Sequence, residues 1–217
     1  MRGIYLLLVL CVVTNSCRKD DDSNAPTENE RYKDDIFSNV LVTKNIQYGQ
    51  ALKYDQSGTE NLYLDLYQPD GDNASSRPLL ICVHGGAFQT GDKALDNWDD
   101  VCDAFAKKGY VAASINYRLL KAPGDVFEPA YRAQQDLRAA IRFARKNASA
   151  YKINTDKIFV MGGSAGGVTC LNVAYKNDVS DIPSSINQTI WGNLEGNSGN
   201  PGFSSSVSAV MSLWGNI

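Results

Sequence analysis

Residues 157–175 read KIFVMGGSAGGVTCLNVAY. The apolar run at residues 157–161 is typical of a strand that is buried on both faces, and the segment from Val168 to Tyr175 favours a helix. Between them lies the pattern G-x-S-x-G, formed by Gly162, Ser164 and Gly166. Small neighbours permit a sharp turn that exposes the serine oxygen and lets the helix pack closely on the sheet. The stretch therefore predicts strand, turn and helix, with Ser164 as the candidate nucleophile.

A glycine-rich turn between a strand and a helix also occurs in phosphate-binding proteins. A phosphate loop needs G-x-x-x-x-G-K-[ST], and a dinucleotide fold needs G-x-G-x-x-G followed by an acid about twenty residues later. Neither pattern is present in this stretch. The alternative of phosphate or nucleotide binding is therefore disfavoured.

A second glycine turn follows the apolar run at residues 79–83 and reads His84-Gly85-Gly86-Ala87-Phe88. Taken alone, it is compatible with a plain turn after a strand. Together with the G-x-S-x-G turn about 80 residues downstream, it resembles the HGG loop of α/β-hydrolases. The resemblance is to the carboxylesterase and hormone-sensitive-lipase-like branches and to feruloyl and acetyl-xylan esterases, and it covers roughly residues 62–217.

This resemblance implies acyl transfer, in which backbone N–H groups stabilise the negative charge that develops on a carbonyl oxygen. In the family, those donors are the residues that match Gly86, Ala87 and Ala165, while His84 and Gly85 support the loop. Ala87 replaces a frequent third glycine, which has no consequence for a backbone donor unless its φ is positive. We expect an ester hydrolase acting on small-molecule or carbohydrate esters, and a prolyl-oligopeptidase-like serine peptidase is the alternative enzyme.

The remaining pattern predicts an α/β fold with a doubly wound, mostly parallel sheet of α/β-hydrolase type, lacking its last strands. The expected strands are residues 62–67, 79–83, 110–115, 157–161 and 207–214, and the expected helices are residues 97–108, 128–151 and 168–175. Residues 178–206 are rich in Ser, Asn, Gly and Pro and favour a long loop. Two further family-like segments, residues 117–119 and 136–140, are interpreted as scaffold.

A serine nucleophile needs a histidine base oriented by an acid, in the chain order Ser, acid, His. His84 is the single histidine, and it precedes Ser164 in a loop for which the family implies a supporting role. Asp178, Asp181 and Glu195 follow Ser164 but lie where the family does not place its acid. We therefore expect the triad acid and histidine to lie beyond residue 217, with a catalytically inactive binding lipoprotein as the alternative.

The N-terminal residues predict export. The apolar run at residues 4–13 follows Arg2 and is too short to span a bilayer, so residues 1–16 are predicted to be a signal peptide. The segment ending in Cys17 resembles a bacterial lipobox, which implies lipidation of Cys17 and a surface or outer-membrane lipoprotein. Residues 17–35 are predicted to be a disordered tether, and residues 36–217 a partial hydrolase domain. An ordinary secretory signal is the alternative.

The charge and the cysteine spacing argue against nucleic-acid binding and against a metal site. A net charge of −3 without basic clusters gives no electrostatic footprint for nucleic acid. Three cysteines, Cys82, Cys102 and Cys170, lie in apolar segments without the spacing of metal ligands, so buried free thiols are expected, although an exported protein could join two of them. No metal or organic cofactor is implied.

Overall fold

The computed structural model describes residues 30–95, 97–120 and 126–215. Within these ranges the chain forms one six-stranded sheet with helices on both faces. The strands are β1 (Val40–Leu52), β2 (Thr59–Pro69), β3 (Arg77–Val83), β4 (Val111–Ile115), β5 (Ile153–Gly163) and β6 (Ala209–Leu213). The helices are α1 (Trp98–Lys107), α2 (Phe127–Lys146), α3 (Ala148–Tyr151), α4 (Ala165–Tyr175) and α5 (Gln188–Trp191).

The strand order is β1-β2-β4-β3-β5-β6. The pairs β1–β2 and β2–β4 are antiparallel, whereas the pairs β3–β4, β3–β5 and β5–β6 are parallel. All seven residues of β3 are buried, as expected for the central strand of a parallel sheet that is covered on both faces. The predicted doubly wound, mostly parallel sheet is confirmed.

Two apolar layers cover the sheet. One contains α2 and α4 and includes Leu137, Ile141 and Cys170, and the other contains α1 and includes Trp98 and Cys102. The three cysteines of the described residues are buried free thiols, as predicted. None of the helices in the described ranges has the length and apolar character needed to cross a bilayer.

Three segments differ from the sequence predictions. Strand β1 was not predicted. Residues 178–206 contain a short 3-10 helix (Val179–Asp181) and α5, so this segment is only partly irregular. Residues 30–35 of the predicted tether contact the domain, because the Tyr32 N–H donates to the Lys108 carbonyl and Arg31 pairs with Asp72. The folded part therefore begins before residue 36. The predicted signal peptide and Cys17 lie outside the described residues.

Candidate active site

Ser164 occupies the turn between β5 and α4. Its backbone has φ 51° and ψ −118°, a conformation that is rare for any residue other than glycine. The residue is exposed, although Gly163 before it and Ala165 after it are both buried. The Ser164 N–H donates a hydrogen bond of 2.7 Å to the carbonyl oxygen of Leu213 in β6. The turn therefore presents the predicted serine on a strained, anchored backbone.

The glycines around this serine are required by close backbone packing. A Cβ on Gly162 would overlap the backbone of Gly166, and a Cβ on Gly166 would overlap the carbonyl oxygen of Val83 at the end of β3. The first turn of α4 thus lies directly against the end of the central strand. No side chain fits at either position without a shift of the backbone.

The HGG loop (residues 84–88) lies beside the serine. A Cβ added to Gly85 would stand 3.5 Å from the Cβ of Ser164 and 3.1 Å from the carbonyl oxygen of Gly163. These distances show that the fold brings together the two glycine motifs, which are far apart in sequence.

Three consecutive residues of this loop have positive φ. The angles are 100° at Gly86, 52° at Ala87 and 62° at Phe88. The Gly86 carbonyl accepts hydrogen bonds from the N–H groups of Gln89 and Thr90, at 2.9 and 3.0 Å. Because φ at Ala87 is positive, replacement of the third glycine by alanine is not neutral here and adds backbone strain.

The His84 side chain is buried beneath the loop. Its Nδ1 lies 2.8 Å from the carbonyl oxygen of Gly85, and because a carbonyl oxygen only accepts, this contact places a proton on Nδ1. The ring stacks on Tyr117 at 4.3 Å between centroids. The Tyr117 hydroxyl donates to the carbonyls of His84 and Gly85, at 3.0 and 3.1 Å. The histidine and the tyrosine therefore brace the loop.

A carboxylate lies close to this brace. Burial alone raises the pKa of Asp92, but the Asn116 amide, the Ala94 N–H and the charge of Lys93 lower it, and the net shift is downward. The Asn116 amide donates to Asp92 at 2.8 Å. Asp92 is therefore held as a carboxylate near the loop.

A cavity of about 260 Å³ adjoins the HGG loop and α4. Its wall includes Phe88 of the loop and Val168 of α4. The Val168 N–H donates to the Ser164 carbonyl at 3.0 Å, which places the cavity one helical turn from the serine. The rest of the wall includes Phe127 and Gln134 of α2 and the charged residues Lys176 and Asp181. The site therefore has an exposed serine, a neighbouring glycine loop and a mostly apolar cavity.

The BD-FAE family model matches residues 64–216. The chain belongs to this family. Among curated proteins it is similar to venom carboxylesterase-6 of Apis mellifera, with 32% identity over 120 residues, or 52% of this chain and 20% of that protein. It is also similar to the acetylcholinesterase of Gallus gallus, with 33% identity over 113 residues, or 50% of this chain and 14% of that protein. The chain thus matches a fifth or less of the length of these relatives.

Solved structures share the fold of this BD-FAE family chain. Esterase 2 of Thermogutta terrifontis with bound butyrate aligns with a TM-score of 0.57 and 23% identity, over 86% of this chain and 56% of that chain. The same esterase phosphorylated by paraoxon aligns with a TM-score of 0.57 and 24% identity, over 82% and 58%. These likenesses confirm the α/β-hydrolase fold.

The acids downstream of Ser164 have structural contacts in this BD-FAE family chain. Glu195 pairs with Arg138 at 3.0 Å and with Arg142 at 2.7 Å. Asp178 and Asp181 form the two halves of a capping box at the short 3-10 helix. Each of these three acids therefore has a structural contact within the part of the chain that the structure describes.

Sequence reasoning missed how directly the scaffold residues support the site. Arg118, next to Tyr117, pairs with Asp136 at 2.8 Å, and both side chains are almost fully buried. Ser198 also donates to Asp136 at 2.8 Å. The available signal was the pair of family-like segments at residues 117–119 and 136–140. They connect the segment after β4 to α2 and thereby position Tyr117 under the loop.

No cluster of three or more His, Cys, Asp or Glu side chains suited to a metal ion occurs in the part of the chain that the structure describes.

Proposed function

We propose that this chain carries the nucleophile and oxyanion hole of a serine hydrolase that cleaves carboxylic esters. The observation that carries the proposal is the exposed Ser164, held at φ 51° beside the HGG loop. Membership of the BD-FAE family and similarity to proteins named carboxylesterases support the same reaction.

In the proposed reaction, Ser164 Oγ attacks the ester carbonyl carbon and transfers its proton to a base. The alcohol then leaves with a proton, and water hydrolyses the acyl-serine. Backbone N–H groups of Gly86, Ala87 and Ala165 hold the negative oxygen. Ala165 is the first residue of α4, so its N–H has no acceptor within the helix and lies at the positive end of the helix dipole.

The base is the missing part of this proposal. His84 is the single histidine of the sequence, and we assign it to the loop because its ring is buried against Tyr117. A histidine and an acid from a longer protein would complete the triad. We therefore expect the 217 residues by themselves to hydrolyse esters only weakly, because the oxyanion hole and substrate binding alone retain a small part of the rate.

The substrates proposed are small-molecule or polysaccharide-linked esters. The mostly apolar cavity lined by Phe88 and Val168, one helical turn from Ser164, suits an acyl or alcohol group of modest size. No cofactor takes part in the proposed reaction.

The test is hydrolysis of para-nitrophenyl butyrate by the natural full-length protein and by its Ser164→Ala variant. The variant should lose at least about 10³-fold in kcat while unfolding at the same denaturant concentration. A matched control is Ser57→Ala, which changes an exposed serine in the β1–β2 turn. Hydrolysis that survives in Ser164→Ala would overturn the proposal.

A second candidate is a binding protein of the same fold that has lost catalysis. The burial of the single histidine favours this candidate. It predicts that the full-length protein binds ester analogues in the cavity but shows no turnover that depends on Ser164.

We also propose that Cys17 is lipidated and anchors the protein at a bacterial cell surface, with residues 1–16 removed as a signal peptide. The lipobox-like sequence supports this proposal. Incorporation of labelled palmitate in cells by the natural chain, and its loss in Cys17→Ser, would test it; equal labelling of both would contradict it.

A further inference from the structure

The N-terminal segment at residues 30–37 is fastened to one edge of the sheet. The Tyr32 N–H donates to the Lys108 carbonyl at 2.8 Å. The Ile36 N–H donates to the Lys107 carbonyl at 3.0 Å. Lys107 is the last residue of α1, the helix that leads into β4. The segment therefore contacts the place where β4 begins.

An arginine side chain adds a clasp to these backbone hydrogen bonds. Arg31 pairs with the Asp72 carboxylate, and its guanidinium lies over the ring of Phe37 at 5.4 Å from the centroid. Asp72 also pairs with Arg77 at 2.6 Å, and both of these side chains are almost fully buried. Arg77 is the first residue of β3. The clasp thus joins the N-terminal segment to the start of the central strand.

Ser164 stands at the opposite edge of the sheet. Because β3, β4 and β5 are parallel, all three begin at one edge, called the amino edge, and end at the other, the carboxyl edge. Ser164 directly follows β5, and Gly162 near the end of β5 pairs with Val83 at the end of β3. The seven residues of β3 span about 20 Å. The clasp and the serine therefore lie on opposite sides of the domain.

We propose that the clasp keeps Ser164 on the side of the domain that faces away from the anchoring membrane. This inference rests on the proposed lipidation of Cys17. The membrane then lies on the side of the amino edge. Esters reach Ser164 from the surrounding medium, and the lipids of the anchoring membrane do not.

Chain length limits how far the anchored domain can turn. The thirteen steps from Cys17 to Glu30 span at most about 47 Å in any conformation. A compact domain of about 190 residues has a radius of about 21 Å. A chain that leaves one pole of such a sphere must cover about 54 Å to pass round it and reach a plane at the opposite pole. Even the fully extended chain is too short to bring Ser164 to the membrane.

The clasp makes this limit effective, because it fixes the point at which the chain leaves the domain. If residues 30–35 detached, six further residues would lengthen the reach by about 20 Å. The chain could then pass round the domain. The inference therefore predicts that the orientation depends both on the clasp and on the number of residues before it.

Fluorescent labels at the two edges test this orientation. Cys82, Cys102 and Cys170 are buried, so a maleimide dye reacts with a cysteine introduced at the surface. Leu95→Cys places the dye between the HGG loop and α1, near the carboxyl edge, and Lys157→Cys places it near the amino edge. Both residues are exposed. The unsubstituted protein, treated in the same way, gives the background.

Each labelled full-length protein is purified with its lipid and bound to phosphatidylcholine vesicles that contain a rhodamine-labelled lipid. Energy transfer to the vesicle should be at least about twofold greater from residue 157 than from residue 95, because strands of about 20 Å separate the two edges. Equal transfer from the two labels, or greater transfer from residue 95, would overturn the inference.

Two variants test the cause of the orientation. An insertion of about 24 Gly and Ser residues before Glu30 lengthens the reach well beyond the path round the domain and should bring the ratio of the two transfers close to one. Arg31→Ala/Tyr32→Ala releases the clasp and should also lower this ratio. Lys33→Ala, at an exposed position in the same segment, is the control and should leave it unchanged. A ratio that is unchanged in either the insertion or the clasp variant would overturn the inference.

Vesicle binding separates this inference from the proposed lipidation. Protein that carries no labelled palmitate and does not bind vesicles would contradict the lipidation of Cys17 and the inference with it. Lipidated protein that binds vesicles and shows equal transfer from both labels would contradict the inference alone.

Discussion

The N–H of Ser164 donates to the carbonyl oxygen of Leu213 at 2.7 Å, which extends the β5–β6 ladder by one residue into the serine turn. The last pair of that ladder is Gly163 and Leu213. The strand next to β5 therefore fixes the backbone on which the serine stands. On its other side, the turn packs against the end of β3 through Gly166.

The packing at Gly166 predicts a large effect of one methyl group. In Gly166→Ala, the new Cβ would overlap the Val83 carbonyl oxygen, and we expect a loss of roughly 2–3 kcal/mol in the free energy of unfolding. In Gly163→Ala, the Cβ would lie 3.3 Å from the edge of Trp98, and the loss should be below about 1 kcal/mol. Urea unfolding of the natural chain and of both variants measures the two losses in free energy. Equal losses would contradict the packing argument.

The brace under the HGG loop predicts a kinetic effect. Tyr117→Phe keeps the ring that stacks on His84 and removes the hydroxyl that donates to the carbonyls of His84 and Gly85. A misplaced loop should lower kcat of the full-length protein by roughly tenfold with little change in KM. Tyr175→Phe, at an exposed position, is the control. A change confined to KM would contradict a role in holding the loop.

The ion pair between Arg118 and Asp136 should be a major stabilising element. Asp136→Ala leaves the buried Arg118 guanidinium without its carboxylate, which should cost about 3–5 kcal/mol. Asp103→Ala removes the partner of Lys107 in a much more exposed pair and should cost less than about 0.5 kcal/mol. Thermal or denaturant unfolding measures both. Similar losses in the two variants would contradict the expectation that the buried ion pair contributes more to the free energy of unfolding than the exposed pair does.

The Asp72 carboxylate should give a pH-dependent contribution to stability. Burial raises its pKa, but the Ala74 N–H, Arg77 and Arg31 lower it, and the folded pKa lies below its ordinary value of 3.8. The stabilisation is therefore present above pH 3.8 and is lost as pH falls through the lower folded pKa. The difference in unfolding free energy between the natural chain and Asp72→Asn should be largest near neutral pH and shrink in acid. If this difference in unfolding free energy grew as the pH fell, it would contradict a lowered pKa of Asp72 in the folded protein.

The sequence predicted the strands and turns that carry strong local signals. Strands β3 and β5 and the turn at Ser164 follow from continuous apolar runs that end in glycines, and α1 ends where Gly109, at φ 97°, follows its last residues. These signals depend on neighbouring residues only. They are therefore readable without the tertiary structure.

Strand β1 was missed because its period-two pattern is interrupted. Its register with β2 shifts between Thr43 and Ile46 and again between Gln47 and Gly49, and Asn45 has φ 58°. Each irregularity changes which face the following side chains occupy. Most residues of the strand are also exposed or half-buried, so no apolar stripe marks it.

The contacts across long sequence separations were not predictable. Arg138 and Arg142 lie in a predicted helix, where charged side chains are mostly exposed, yet both are almost fully buried. Glu195, in the loop before β6, pairs with both of them. The strain at Ala87 and the hydroxyl contacts of Tyr117 also depend on tertiary packing. The motifs thus identified the candidate residues, whereas the structure defines how they are held.

Covalent labelling is the most direct test of Ser164 as the nucleophile. The natural full-length protein is treated with paraoxon, and the modified residue is located by peptide mass spectrometry, with Ser164→Ala as the control. The account predicts one added diethylphosphoryl group, on Ser164, with release of one para-nitrophenolate and loss of para-nitrophenyl butyrate hydrolysis in proportion to labelling. Labelling of another residue with parallel loss of activity, or full activity in a protein labelled at Ser164, would contradict it.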